Sequence, residues 1–101
     1  MGRWVDFVYR EFYDVPRSII VKLPDGLLLL ECRFLEDADA YADHYDAFLL
    51  PPEVDLSGSW TDLSRWATRA LGSIAVEHVE LDETRRRSLD LESLAPVMAT
   101  G

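Results

Sequence analysis

Lysine occurs once in the 101 residues, at Lys22, and cysteine once, at Cys32. Neither Lys nor Arg occurs anywhere between Phe34 and Ser64. A single cysteine excludes an intramolecular disulfide framework, so a chain of this size must be held together by its core. With 10 basic against 19 acidic residues and a net charge of −9, the chain lacks the cationic excess needed to grip nucleic-acid phosphates or an anionic membrane. Neither nucleic acid nor membrane is therefore an expected partner. Apolar runs such as Leu27–Leu30 fall far short of a membrane span. The first ten residues carry Arg3, Asp6 and Arg10 and no apolar stretch of signal-peptide length, so a reducing cytoplasm is the expected compartment. The five glycines form no phosphate-cradling loop, and no serine stands in a G-x-S-x-G elbow. Nine of the ten basic residues are Arg, a usage associated with GC-rich bacterial genomes.

What is present suffices for a core. Hydrophobic residues make up 49% of the chain and aromatics 11%, which argues against disorder and for one domain over residues 1–101. The acidity is regional. Residues 1–33 are balanced, whereas 34–64 hold Glu36, Asp37, Asp39, Asp43, Asp46, Glu53, Asp55 and Asp62 with no cation, eight of the nine excess charges.

The first third reads as strands. Val5, Phe7, Tyr9 and Tyr13 share one parity, with Asp6 and Arg10 on the other, which is the period of a half-buried strand and sends Trp4 and Phe12 to the opposite face. Ser18–Leu23 is rich in β-branched residues and Leu27–Phe34 follows Pro24, Asp25 and Gly26. Asp-Gly between apolar runs signals a hairpin, with Gly supplying a positive φ. Both parities of Leu27–Leu30 are apolar, so both sheet faces are expected to be covered there. Residues 35–42 read as a loop or single turn, and His44–Leu50 as a strand closed by Pro51 and Pro52.

Trp60, Leu63, Ala67, Ala70 and Leu71 fall on about a 100° stripe when wound as a helix, so an amphipathic helix is predicted over 59–71, capped by Ser59 and stopped by Gly72. A last strand over Ile74–Leu81 changes its apolar phase near Glu77 and His78, which predicts a bulge there. Asp82 can cap a short C-terminal helical turn over Arg85–Arg87, and Leu89, Leu91 and Leu94 follow to close the barrel mouth. The expected architecture is a β-rich α+β domain. About five antiparallel strands form a curled sheet or small barrel, which resembles an SH3-like barrel in shape only, with the helix before the last strand.

Few residues suggest chemistry. Cys32 shares its strand face with Leu28, Leu30 and Phe34, while the adjacent Arg33 falls on the other face, so no basic residue of its own strand face can make it a thiolate. The carboxylates of residues 36–46 could ligate a divalent cation weakly. The EF-hand spacing fails, because counting from Asp37 places Tyr41, Ala42 and Phe48 at the third-ligand, glycine and bidentate-acid positions. No cofactor motif is present, and none is expected. No catalytic constellation appears, which leaves a small enzyme or a weak divalent-metal binder as the third reading.

The remaining cluster is acidic and aromatic. An exposed ring beside carboxylates can take up a cation or the stem of an Arg or Lys. The candidate binding residues are Asp37, Asp39, Asp43, Asp46, Tyr41, Tyr45 and Trp66. The expected function is a non-enzymatic interaction domain whose patch around residues 36–62 docks a basic protein or peptide. The alternative is an immunity- or antitoxin-type inhibitor whose carboxylates imitate nucleic-acid phosphates in the site of a basic enzyme such as a nuclease.

Overall fold

The computed structural model describes residues 4–13, 15–58, 60, 63–82 and 88–98. The strands in chain order are β1 (Trp4–Asp6), β2 (Val8–Tyr13), β3 (Val15–Leu23), β4 (Gly26–Glu31), β5 (Phe34–Leu35), β6 (Ala40–Tyr41), β7 (His44–Leu50), β8 (Arg69–Ala75) and β9 (Ser88–Asp90). A four-residue helix, α1 (Ala95–Met98), is the only α-helix among the described residues. Five strands form one antiparallel sheet in the order β2-β3-β4-β7-β8, while β1 pairs with β9 and β5 with β6 in two small ribbons.

The central strands are apolar on both parities because both faces of the sheet are covered. Ile19, Val21, Leu28 and Leu30 belong to one cluster, with Tyr45, Leu89, Leu94 and Val97. Ile20, Leu27, Leu29 and Leu50 belong to another, closed by Trp60 and Leu63. Each leucine buried in this way contributes about 2 kcal/mol of transfer free energy, so the β3–β4 hairpin anchors both layers. The β1–β9 ribbon lies over the first face and is pinned where Ser88 Oγ donates to Asp6 Oδ1 at 3.1 Å. Over the second face, Arg10 holds the 51–58 segment by donating to the carbonyls of Gly58 at 2.6 Å and Leu56 at 3.2 Å.

The sheet is open. Its end strands β2 and β8 are not paired to each other, so it does not close as a barrel. The described residues of 59–71 also do not form the predicted amphipathic helix. Leu63–Trp66 is a single 3-10 turn, and Arg69–Leu71 already belong to β8. The reason lies at Gly72, whose φ of +109° serves a bulge rather than a helix stop. Ala47 pairs with Gly72 but Phe48 with Ala70, so Leu71 is the extra residue. Of the residues on the predicted helical stripe, Trp60, Leu63 and Ala67 pack on the second face and Leu71 on the first, so the helical spacing joins residues from opposite sides of the sheet. Near Glu77 and His78 the chain turns through a 3-10 turn, Val76–His78, instead of a bulged strand. The predicted turn over Arg85–Arg87 lies outside the described residues.

Gly26 is required for a different reason from the expected positive φ. Among the described residues only Glu11, Asp39 and Gly72 have positive φ. A Cβ on Gly26 would instead lie 2.5 Å from the Leu50 carbonyl oxygen. Among the described residues no helix is long and apolar enough to cross a membrane.

Candidate functional site

Strand alternation divides the predicted patch. In β7 the side chain of Tyr45 faces the core and is fully buried, its hydroxyl donating to the Pro16 carbonyl at 2.7 Å. Burial pushes its phenol well above the ordinary range, so Tyr45 is a framework residue and no part of a surface. Its neighbour Asp46 faces the other way, 3.6 Å from Arg33 Nε and 3.5 Å from His44 Nε2. Trp66 is 66% exposed, but it stands on the 3-10 turn whose Leu63 covers the opposite face of the sheet. Asp37 is exposed in the 3-10 turn Glu36–Ala38, at the tip of the β5–β6 ribbon.

Asp39, Tyr41 and Asp43 do come together. They line an open groove of about 940 Å³ with Arg17, Phe34 and Glu77. The β5–β6 ribbon forms one wall. Asp39 takes the left-handed conformation at its tip, φ 49°, which Asp tolerates better than most residues, and this closes the turn back into β6. The opposite wall is the end of β8 and the Val76–His78 turn, fastened where the Val76 amide donates to the Asp43 carbonyl at 2.9 Å. That bond brings Glu77 to the acidic ribbon from a distant part of the sequence.

The groove floor is aromatic and organised by one cation. Phe34 meets Tyr41 edge-on, with ring centroids 5.2 Å apart, and Phe34 is 49% exposed. The Arg17 guanidinium lies 4.4 Å from the Tyr41 ring centroid, a cation–π geometry. One of its amino groups donates to Cys32 Sγ at 3.4 Å, and the buried thiol donates in turn to the Ala42 carbonyl at 3.2 Å. Cys32 is therefore core filling with hydrogen bonds, and the guanidinium that reaches it comes from Arg17 of β3 and not from the adjacent Arg33. Among the described residues, no three of His, Cys, Asp and Glu converge as a metal site.

No family model, curated protein or solved structure matches this chain. The site therefore stands on its own geometry.

A second groove, about 620 Å³, continues from the first and shares Val76 and Glu77 with it. Phe12 lines it, against expectation. Glu11 has φ 59°, which breaks the alternation of β2 and swings Phe12 onto the side of Tyr9, with ring centroids 5.9 Å apart. Trp4 remains 53% exposed. Reading the sequence alone missed Arg17, Phe34, Phe12 and Glu77. A signal existed only for Phe34, whose partner Tyr41 lies in the same acidic block.

Proposed function

We propose that this protein is a non-enzymatic interaction module that docks a basic segment of a protein partner in the groove between the β5–β6 ribbon and the Val76–His78 turn. One observation carries the reading: Asp39, Asp43 and Glu77 line a groove whose floor is Phe34 and Tyr41. Carboxylates around an aromatic floor attract a guanidinium or ammonium group while the rings cover its aliphatic stem. Neither Asp39 nor Glu77 has an ion-pair partner among the described residues, so their charge acts outward.

The test must separate this groove from the general acidity of the chain. A fluorescein-labelled hexa-arginine peptide serves as the probe, read by anisotropy across a salt series. Neutralising the groove with Asp39→Asn, Asp43→Asn and Glu77→Gln is compared with a charge-matched control, Asp25→Asn, Glu53→Gln and Glu92→Gln. The groove variant should bind about tenfold more weakly than wild type and show a flatter salt dependence, from exposed pairs worth some 0.2–1 kcal/mol each. The control and Trp66→Ala should bind nearly as wild type does. Equal weakening in the groove variant and the control would refute a groove-specific site.

The same row of carboxylates also suits an inhibitor that occupies a basic enzyme site. Capture of a nuclease whose activity is blocked stoichiometrically by the wild-type chain, and not by the groove variant, would favour that reading.

A further inference from the structure

The two grooves differ in chemistry yet share a wall, and we infer that together they select an extended segment carrying a cationic side chain and, on the same face, a bulky apolar one. This rests on the basic-segment reading above and names the rest of the partner. The second groove has an apolar lining of Phe7, Phe12, Val15, Pro16, Val79 and Leu81, and its acidic members are Glu77, Glu80 and Asp82. Among the described residues lining the two grooves, Asp39, Asp43, Glu77 and Glu80 face one guanidinium, that of Arg17, which is already committed to Tyr41 and Cys32. The occupant's net charge is therefore positive, and an acidic segment is disfavoured in both halves.

What distinguishes the halves is the kind of lining: Phe12, Val15, Pro16 and Leu81 in the second groove, two aromatic rings among carboxylates in the first. Phe7 and Val79 are buried beneath the second groove, and Phe12 leaves 39% of its surface open above them. The first groove offers Phe34 and Tyr41 beside Asp39 and Asp43, a setting for a cation and its stem. An extended chain sends residues i and i+2 to one side about 7 Å apart, so even spacing lets one segment fill both halves. Glu77 lines each groove and sits where such a segment would cross between them.

Three labelled peptides test this by anisotropy on the whole chain: Arg-Ser-Leu-Ser-Arg-Ser, the same peptide with Leu replaced by Ser, and the same peptide with both Arg replaced by Gln. The first should bind about tenfold tighter than the second, the fold-change that burial of one leucine side chain supports, and the third should bind weakest. Phe12→Ser should abolish the advantage of the Leu peptide while leaving the cation-only peptide unchanged. Val15→Thr, nearly isosteric, should reduce that advantage if Phe12→Ser compromises folding. Equal binding of the first two peptides would overturn the two-part groove and leave the basic-segment reading intact. Binding of neither at low salt would overturn both. A dimer in sedimentation equilibrium that Phe12→Ser dissociates would assign the apolar half to a second copy and overturn the inference.

Discussion

Tyr45→Phe tests the assignment that moves furthest from the sequence reading, because it removes one atom and no packing. The ring fills a fully buried position between β4 and β8, and the hydroxyl donates to the Pro16 carbonyl at 2.7 Å. Pro16 is itself buried and pairs with Phe12 across the β2–β3 ladder. Deleting the hydroxyl loses a net hydrogen bond of about 0.5–1.5 kcal/mol, and stranding the carbonyl raises the total to roughly 1–3 kcal/mol. In a domain of this size each 1 kcal/mol lowers Tm by about 4–8 °C, so Tm should fall by at least about 4 °C. Urea denaturation followed by Trp fluorescence should show a lower midpoint with an unchanged slope. Hexa-arginine binding, measured well below the new Tm, should equal that of wild type. An unchanged Tm would refute the buried hydrogen bond. Lost binding at full stability would return Tyr45 to the site.

Gly26→Ala should destabilise by about 1–3 kcal/mol or more, since its Cβ meets the backbone carbonyl of Leu50 at 2.5 Å and neither strand can move without disturbing the sheet. Gly58→Ala, with nothing within 4 Å, is the control and should stay within about 0.5 kcal/mol of wild type by chemical denaturation. At Glu31, burial is the main cause that raises the carboxyl above its ordinary 4.5; Arg33 opposes it, and the cross-strand neighbour Asp46 adds to it. The folded state then holds the proton to a higher pH than the unfolded state, so Glu31's contribution to stability falls as pH rises from 4.5 through the raised folded value. Glu31→Gln should accordingly be more stable than wild type at pH 7, and the difference should shrink toward pH 4. A destabilised variant at pH 7 would show that the Arg33 pairing outweighs burial.

The parts of the fold legible in the sequence were those with unmixed signals. His44–Leu50 carries β-strand parity and two prolines behind it, and β7 has those bounds. The doubled apolar parity of Leu27–Leu30 corresponds to the two covered faces. Where a local irregularity changes the period, the sequence misleads. The bulge at Leu71–Gly72 breaks the two-residue period of β8, and the left-handed Glu11 turns Phe12 against its parity. Such irregularities are set by pairing partners far along the chain, and no window of sequence contains them. The candidate site suffered for the same reason. Tyr45 and Asp46 are adjacent in sequence and lie on opposite faces, whereas Asp43 and Glu77 are 34 positions apart and line one groove.

Counting charge by blocks of sequence therefore measures the wrong quantity. Potential at a groove sums over distance in space, and at physiological salt charges beyond about 8 Å are largely screened. Of the carboxylates described between Phe34 and Ser64, only Asp39 and Asp43 line the first groove, and Asp46 is spent on Arg33 and His44. Glu77, Glu80 and Asp82 come from a block that is almost neutral in total, yet they extend the acidic surface through the second groove. Carboxylates gathered without ion-pair partners, as Asp39, Glu77 and Glu80 are among the described residues, repel one another and give the fold no stability. Salt has opposite consequences for the two states. It screens this repulsion in the free protein and so stabilises it, while it weakens attraction to a basic segment. A solvated acidic loop with no partner shows only the first effect; a docking groove shows both, and neutralising Asp39, Asp43 and Glu77 removes them together.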